Sequence, residues 1–257
     1  MKNGIFKLLT GILILLVFTA IILSAVYKKP PVKKQAPVIL GRIVIVIDDW
    51  GYSLNNLPII QQIKIPLTCA ILPGLKDSDA VMKRLDSLGL EIILHLPMEP
   101  KGRHNLEKDT ITLGMSAERI SEILDKDLSS VNLAKGVSNH MGSRVTENKK
   151  TSLIVLSEIK KRNRYFFDSF VTNDSVCFDL AKKMGIKTAK RDIFLDDRSD
   201  FDYIKGNLIK LKNLARKRGI AIGIGHDRKN TLLVLKETLP QMEKEGYRFL
   251  FLSEVVQ

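Results

Sequence analysis

Two adjacent aspartates, Asp48 and Asp49, end the apolar run Ile43-Val44-Ile45-Val46-Ile47, with no basic residue beside them in the chain. Three of the four histidines stand in comparable positions: His95 in EIILHLPMEP, His140 in GVSNHMGS and His226 in IAIGIGHDR. The fourth, His104, lies in the polar stretch KGRHNLEKD and is expected to be solvated. Imidazoles and a carboxylate are the donor set of catalytic zinc and related divalent metals, which keep one position open for water. Such a metal brings the pKa of water down to about 7, and a second carboxylate nearby could take the proton. Two neighbouring aspartates then have separate uses, one for the metal and one for the proton. Alternation of side chains along an extended strand would let adjacent residues take different roles.

That chemistry needs elements that bring distant residues together. Strand patterns occur near 42–47, 66–72, 90–96, 133–138, 164–169, 186–195, 220–225 and 247–252, alternating with amphipathic helix patterns near 54–63, 77–88, 116–131, 148–162, 174–184, 202–218 and 229–244. Ser116 with Glu118, Asp174-Ser175 and Asn230-Thr231 read as helix starts, and Gly89, Gly185, Gly219 and Gly246 as helix stops. Alternation of this kind predicts an α/β fold with a parallel sheet inside a layer of helices. Seven or eight units in a chain of this length fit a barrel, complete or incomplete, better than an open sheet. In a barrel the strand tips converge on one mouth, so Asp48-Asp49, His95, His140 and His226 could share one ion.

Other polar groups stand at or near predicted tips. Asp168 ends FFDS, Asp196-Asp197 end RDIFLDD, and Arg144 follows His140 closely. Asp168 could cap the next helix, and Asp197 reads as a solvated loop residue. Trp50, the only tryptophan, could line a sugar cleft or complete the rim of the core. Together Trp50, Arg144, Asp168 and Asp196 form the set of candidate substrate contacts. The run IAIGIGH lacks the lysine and the glycine spacing of a phosphate-binding loop.

The chain has 257 residues, 45% of them apolar, enough for a sizeable core. Residues 8–27 are apolar without a charge, following a basic tail at 1–7. Twenty residues of helix span about 30 Å, the hydrocarbon thickness of a bilayer. The run exceeds the usual core of a signal peptide, so an uncleaved signal-anchor is favoured over cleavage after Leu23-Ser24-Ala25. Residues 28–40, KKPPVKKQAPVIL, read as a Pro/Lys tether, with a single domain at 41–257. Of the formal charge of +13, six basic residues and no acids fall in positions 1–34, which leaves +7 for the rest. That excess suits anionic lipid or cell-wall polymer better than nucleic acid, whose footprint would cluster on one element. Cys69 and Cys177 both sit in apolar contexts and read as buried free thiols.

The stretches IDDWGY (47–52), HLPMEP (95–100), SNHMGSRVT (138–146), FFDS (166–169), RDIFLD (191–196) and IGIGHDR (222–228) resemble, in order, those of the divergent polysaccharide deacetylase family, a distant branch of the NodB-like carbohydrate esterases. The resemblance implies a distorted (β/α)7–8 barrel, a divalent metal, usually zinc, and a domain outside the cytoplasm, which the apolar segment 8–27 would anchor in the cytoplasmic membrane. By the same resemblance Asp48 is the general base, Asp49, His95 and His140 the metal ligands, and His226 the acid that protonates the leaving amine. The sequence departs from the wider superfamily at Glu99, which stands where a second histidine of a His-x-x-x-His segment would fall, so His140 must supply that ligand from another loop. The Arg-x-Pro-Tyr motif of that superfamily is also replaced. The expected activity is metal-dependent hydrolysis of N-acetyl groups on an envelope or extracellular polysaccharide. The alternative is a catalytically inactive barrel that binds glycan or an envelope partner. A metal-free glycosidase using Asp49 and Asp168 has no use for three histidines.

Overall fold

The computed structural model describes residues 2–27 and 38–257, in two units that are treated separately. Residues 28–37 of the expected tether lie outside the described residues. The described part of the first unit is one helix, α1 (Lys2–Val26), with no buried residue and a mean hydropathy of 2.7 over its most apolar window. It is long and apolar enough to cross a membrane.

The second unit, Val38–Gln257, contains β1 (Gly41–Trp50), α2 (Leu57–Ile60), β2 (Thr68–Ile71), α3 (Ser78–Ser87), β3 (Glu91–Met98), α4 (Ala117–Ser130), β4 (Gly136–Met141), α5 (Ser143–Thr146), α6 (Lys149–Lys161), β5 (Tyr165–Asp168), α7 (Cys177–Lys183), β6 (Thr188–Lys190), β7 (Ile193–Phe194), α8 (Phe201–Arg218), β8 (Ile220–His226), α9 (Lys229–Lys244) and β9 (Tyr247–Leu250). All pairings are parallel, in the order β6-β5-β4-β3-β2-β1-β8-β7, with β9 beside the start of β1. The two ends of this path are pieces of one segment. Arg191 N–H reaches the Asp168 carbonyl at 3.1 Å and Asp192 N–H the Ile222 carbonyl at 2.9 Å, so the chain itself steps from one sheet edge to the other. The single strand expected at 186–195 is therefore two, and the sheet is curled into a distorted barrel whose last seam is closed by backbone connectivity. Helices surround it, as the alternating pattern predicts.

Side-chain parity sorts the core into two layers. Ile43, Ile45 and Ile47 belong to the larger cluster between sheet and helices, while Val44 and Val46 join Ala70, Ile93, Phe167, Ile222 and Ile224 inside the barrel. All five β1 residues from Ile43 to Ile47 are fully buried, which is why the strand reads as an unbroken apolar run. Every residue described as buried lies from Gly41 onward, so the domain completes its core without α1.

Ser116 caps α4 by accepting Arg119 N–H at 3.2 Å, and Gly219 ends α8 with a left-handed φ of 83°. The N-cap positions of α7 and α9 are Val176 and Arg228, not the expected Asp174-Ser175 and Asn230-Thr231; Ser175 and Thr231 donate their hydroxyls to Asp168 (2.7 Å) and Asp196 (2.6 Å), and Ser175 Oγ also accepts Cys177 N–H at 3.4 Å. A buried carboxylate without donors costs more than an uncapped helix end, so the hydroxyls go to the aspartates. Cys69 and Cys177 are buried free thiols; burial pushes the Cys177 thiol up to about 12.

A methyl group added at Gly136 would stand 2.3 Å from the Tyr165 ring, which a hydrogen bond to Glu91 at 3.0 Å holds in place. Gly136→Ala is expected to destabilise the domain by about 1–3 kcal/mol, whereas Gly206→Ala, with open space around it in α8, should add about 0.5–1 kcal/mol. Urea denaturation of both variants of Val38–Gln257 checks the pair.

Candidate metal centre

Parity also decides what faces the mouth. Asp48 continues the inward set Val44-Val46, His95 follows Ile93, and His226 follows Ile222-Ile224. The β1–β8 register sets Asp48 opposite His226, and the β3–β4 register sets His95 opposite Ser138, one inward step before His140. Asp49 should point outward by the same rule. It does not, because its backbone is left-handed (φ 65°) and the β1–β2 pairing slips between Ile47 and Trp50. The irregularity exchanges the two positions: Asp49 turns into the mouth and Trp50 turns into the outer core. Simple alternation, the sequence-based expectation for the two aspartates, is thus corrected; both reach one cavity because alternation fails there.

One carboxylate oxygen organises the cluster. Asp49 Oδ1 stands 3.0 Å from His140 Nδ1 and 3.2 Å from His95 Nε2, with the two rings edge-on and their centroids 4.9 Å apart. Donor atoms of Asp49, His95 and His140 all fall within 4.8 Å of one another. Donors around a tetrahedral zinc at ~2.0–2.1 Å would be separated by about 3.3 Å, so the three fit a divalent cation. Three buried polar atoms in or beside the cavity find no protein partner, namely Asp48 Oδ1, His140 Nε2 and Ser169 Oγ. Unpaired groups of this kind are costly unless a ligand or water answers them.

The surroundings fix the ligands. His95 Nδ1 lies 2.8 Å from Ser138 Oγ; donating there leaves Nε2 a free lone pair toward the cluster. Asn139 donates to the Met141 carbonyl at 2.8 Å and accepts Ser169 N–H at 2.9 Å, bracing a turn in which Met141 is left-handed (φ 52°). Burial raises Asp48 above the usual carboxylate range against the pull of His95. Burial also works against the charge of Asp49, but the hydrogen bonds of His140 and His95 outweigh it and hold that carboxyl low. On the far side of the cavity His226 Nδ1 meets Asp196 Oδ1 at 2.7 Å, and the other Asp196 oxygen accepts His226 N–H and the Thr231 hydroxyl. Burial opposes the charged form of His226, yet Asp196 raises it above 6.5 overall.

The profile of the family described as divergent polysaccharide deacetylase matches residues 45–256. The chain belongs to that family. YibQ of Escherichia coli K12, described only as uncharacterized, is 33% identical to this family member over 203 residues, 79% of this chain and 64% of YibQ. The crystal structure of ATU2773 from Agrobacterium tumefaciens C58, also uncharacterized, superposes with a TM-score of 0.80 at 22% identity, covering 87% of this chain and 92% of that one. BA3943 of Bacillus anthracis, a CE4 family pseudoenzyme, reaches a TM-score of 0.51 at 14% identity over 86% of this chain and 67% of its own. The domain therefore carries the fold found in CE4 proteins, and its Asp/His/His cluster could hold a metal.

Of the residues predicted from the sequence, the structure gathers Asp48, Asp49, His95, His140 and His226 around one cavity of about 230 Å³. Trp50, Arg144, Asp168 and Asp196, expected to touch substrate, are not on its wall. Trp50 and Asp168 are fully buried, the latter on the outward parity of β5, where it accepts Phe178 N–H (3.1 Å) at the start of α7. Arg144 pairs with Glu99 at 2.7 Å, which occupies the carboxylate standing in for the missing histidine. Asp196 serves His226. The rest of the wall is Asn139, Met141, Ser169, Val171 and Phe194, four of them within two residues of a candidate ligand or strand tip. Sequence reasoning passed over Asn139, Ser169, Val171 and Phe194, whose types carry no chemistry of their own here; for all but Val171 the one signal was that position.

Two measurements follow from the donor set. Zinc titrated into the wild-type domain should bind at about one ion per chain, and His140→Ala should abolish stoichiometric binding with the far-UV circular dichroism unchanged. Ser138→Ala should weaken affinity by about 10–100-fold. Full binding in both variants would remove the cluster from consideration.

Proposed function

We propose that the domain is a metal-dependent hydrolase that removes N-acetyl groups from an envelope or extracellular polysaccharide. The supporting observation is that one cavity joins the Asp49/His95/His140 donor set to a buried carboxylate, Asp48, and to an Asp196-backed imidazole, His226. Zinc or a related divalent ion held by the three donors would acidify water and polarise an acetyl carbonyl. Asp48, raised by burial, is suited to take the proton of attacking water. His226 keeps Nδ1–H on Asp196, orienting Nε2 to deliver a proton to the departing nitrogen. Met141, Val171 and Phe194 give the cavity apolar walls suited to an acetyl methyl. In this reading zinc is the cofactor, a glycan the substrate, and α1 an uncleaved anchor that holds the domain outside the cytoplasm.

A second reading, an inactive barrel that binds glycan or an envelope partner, draws support from the shared fold of the BA3943 pseudoenzyme and from Glu99 in place of a histidine. Acetate release from N-acetylated glycans by the zinc-loaded domain separates the two. Asp48→Asn and His226→Ala should each lower kcat by about 10²–10⁴-fold with metal retained. Saturable glycan binding without acetate release in the wild type would establish the second reading.

The acid must be protonated to act, and Asp196 raises the pKa of His226. Activity should therefore persist to higher pH than an isolated imidazole allows. Asp196→Asn should move the alkaline limb of kcat/KM to lower pH as well as reduce the maximum. An unmoved alkaline limb would show that His226 is not the group titrating there.

A further inference from the structure

Because every strand is parallel, all strand starts share one face, the foot of the barrel, opposite the mouth. Cations crowd the foot. Arg42, Lys64, Lys135, Arg164, Lys187 and Arg248 lie in or just before strands there, five of them exposed and Arg164 half-buried. Basic residues in the last turns of α6, α7 and α8 add to them, and helix polarity accounts for those. It does not account for the six, which lie outside helices. Ion pairs do not absorb them either: among the described residues the pairs on this face are Lys161 and Arg162 with Glu158, Arg162 with Asp125, Lys212 with Glu245 and Arg218 with Asp192, none of which includes one of the six. The β1–β9 register sets Arg42 directly opposite Arg248, a like-charge neighbour pair that is unfavourable without an anion.

Two further observations point to the anion. A cavity of about 350 Å³ on this face is lined by Lys160, Arg164 and Lys187, and Arg164 Nε is buried there with no hydrogen-bond partner. Among the cations stand exposed apolar side chains, Val38 (76%), Ile39 (53%) and Leu133 (39%). The chain enters the domain at this point, where Leu40 N–H bonds the Gly246 carbonyl at 2.9 Å.

We propose that the foot of the barrel docks on an anionic phospholipid surface, with headgroup phosphates paired to the Arg42/Arg248 neighbours and the Lys160/Arg164/Lys187 cavity, and Val38, Ile39 and Leu133 in the interfacial layer. A soluble anionic polymer would match the cations but gain nothing from three apolar side chains in water. Docking by the foot turns the mouth, with its Asp/His/His cluster, away from the bilayer. The inference uses the domain surface alone, so it stands or falls separately from hydrolysis and from the reading of α1 as an anchor.

The test is vesicle flotation of Val38–Gln257, whose core is complete without α1. The domain should float with phosphatidylcholine vesicles doped with phosphatidylglycerol, not with phosphatidylcholine alone, and release as salt rises. Reversing four foot charges (Lys64→Glu, Lys135→Glu, Lys187→Glu, Arg248→Glu) should weaken binding by about tenfold or more. Reversing four at the mouth (Lys76→Glu, Lys149→Glu, Lys150→Glu, Lys229→Glu) should change it little, and Leu133→Ser should weaken it at constant charge. Circular dichroism confirms that each variant folds. No flotation with anionic vesicles, or equal loss from foot and mouth variants, overturns the proposal. Full competition by polyaspartate together with an unaffected Leu133→Ser variant assigns the foot to a soluble polyanion and overturns it too.

Discussion

In a strand buried on both faces, successive side chains point to opposite layers, and the arrangement of this domain follows from that constraint and from one place where it is broken. The inward parity of β1, β3 and β8 carries apolar residues through the barrel and then, near the strand tip, a polar one, Asp48, His95 and His226, while on β4 Ser138 and His140 share that parity. Asp49 has the wrong parity for the mouth. Its left-handed backbone and the slip in β1–β2 pairing turn it inward and send Trp50 to the helical layer. Without that exchange, the oxygen that both imidazoles approach would lie on the other side of the sheet.

Holding Asp49 there has a cost that the scaffold offsets. A non-glycine residue in the left-handed region costs on the order of 1–3 kcal/mol, and Met141 and Phe170, which flank the same cavity, are left-handed as well. Each is fixed from more than one side. Asp227 N–H holds the Asp48 carbonyl at 2.9 Å, Asn139 holds Met141 and Ser169, and Arg191 donates to the Ser169 carbonyl at 2.8 Å while its guanidinium lies 3.6 Å from the Phe194 ring centroid. Three left-handed residues and three unpaired polar atoms thus meet at one cavity, the pattern of a site organised for a ligand.

The two adjacent carboxylates, both within 3.6 Å of His95 Nε2, are tuned in opposite directions by their surroundings. Asp49 is held charged by two imidazoles and suits a cation; Asp48, buried with one oxygen unpaired, is raised and suits proton transfer. Asp196 never meets the cavity but sets the charge and orientation of His226. Parallel topology also separates functions in space, since every strand tip belongs to the mouth and every strand start, with its unpaired cations, to the foot.

Periodicity and helix punctuation in the sequence determined the α/β barrel, the histidines at its strand tips and the apolar helix at the N-terminus, because these depend on local pattern and on residues a few positions apart. The family motifs marked the five residues that share the cavity. Tertiary structure alone decided which of the remaining polar residues belong to it. Asp168, at a strand tip like the others, has the outward parity of Phe166 and caps α7; Ser175 and Thr231 give their hydroxyl protons to buried aspartates; Trp50 is carried into the core by its neighbour's backbone. The segment 186–195 breaks into two strands because it must reach opposite edges of the sheet. Pairing register, a single left-handed residue and the demand that buried carboxylates find donors are properties of the assembled chain, and no window of sequence contains the partners that enforce them.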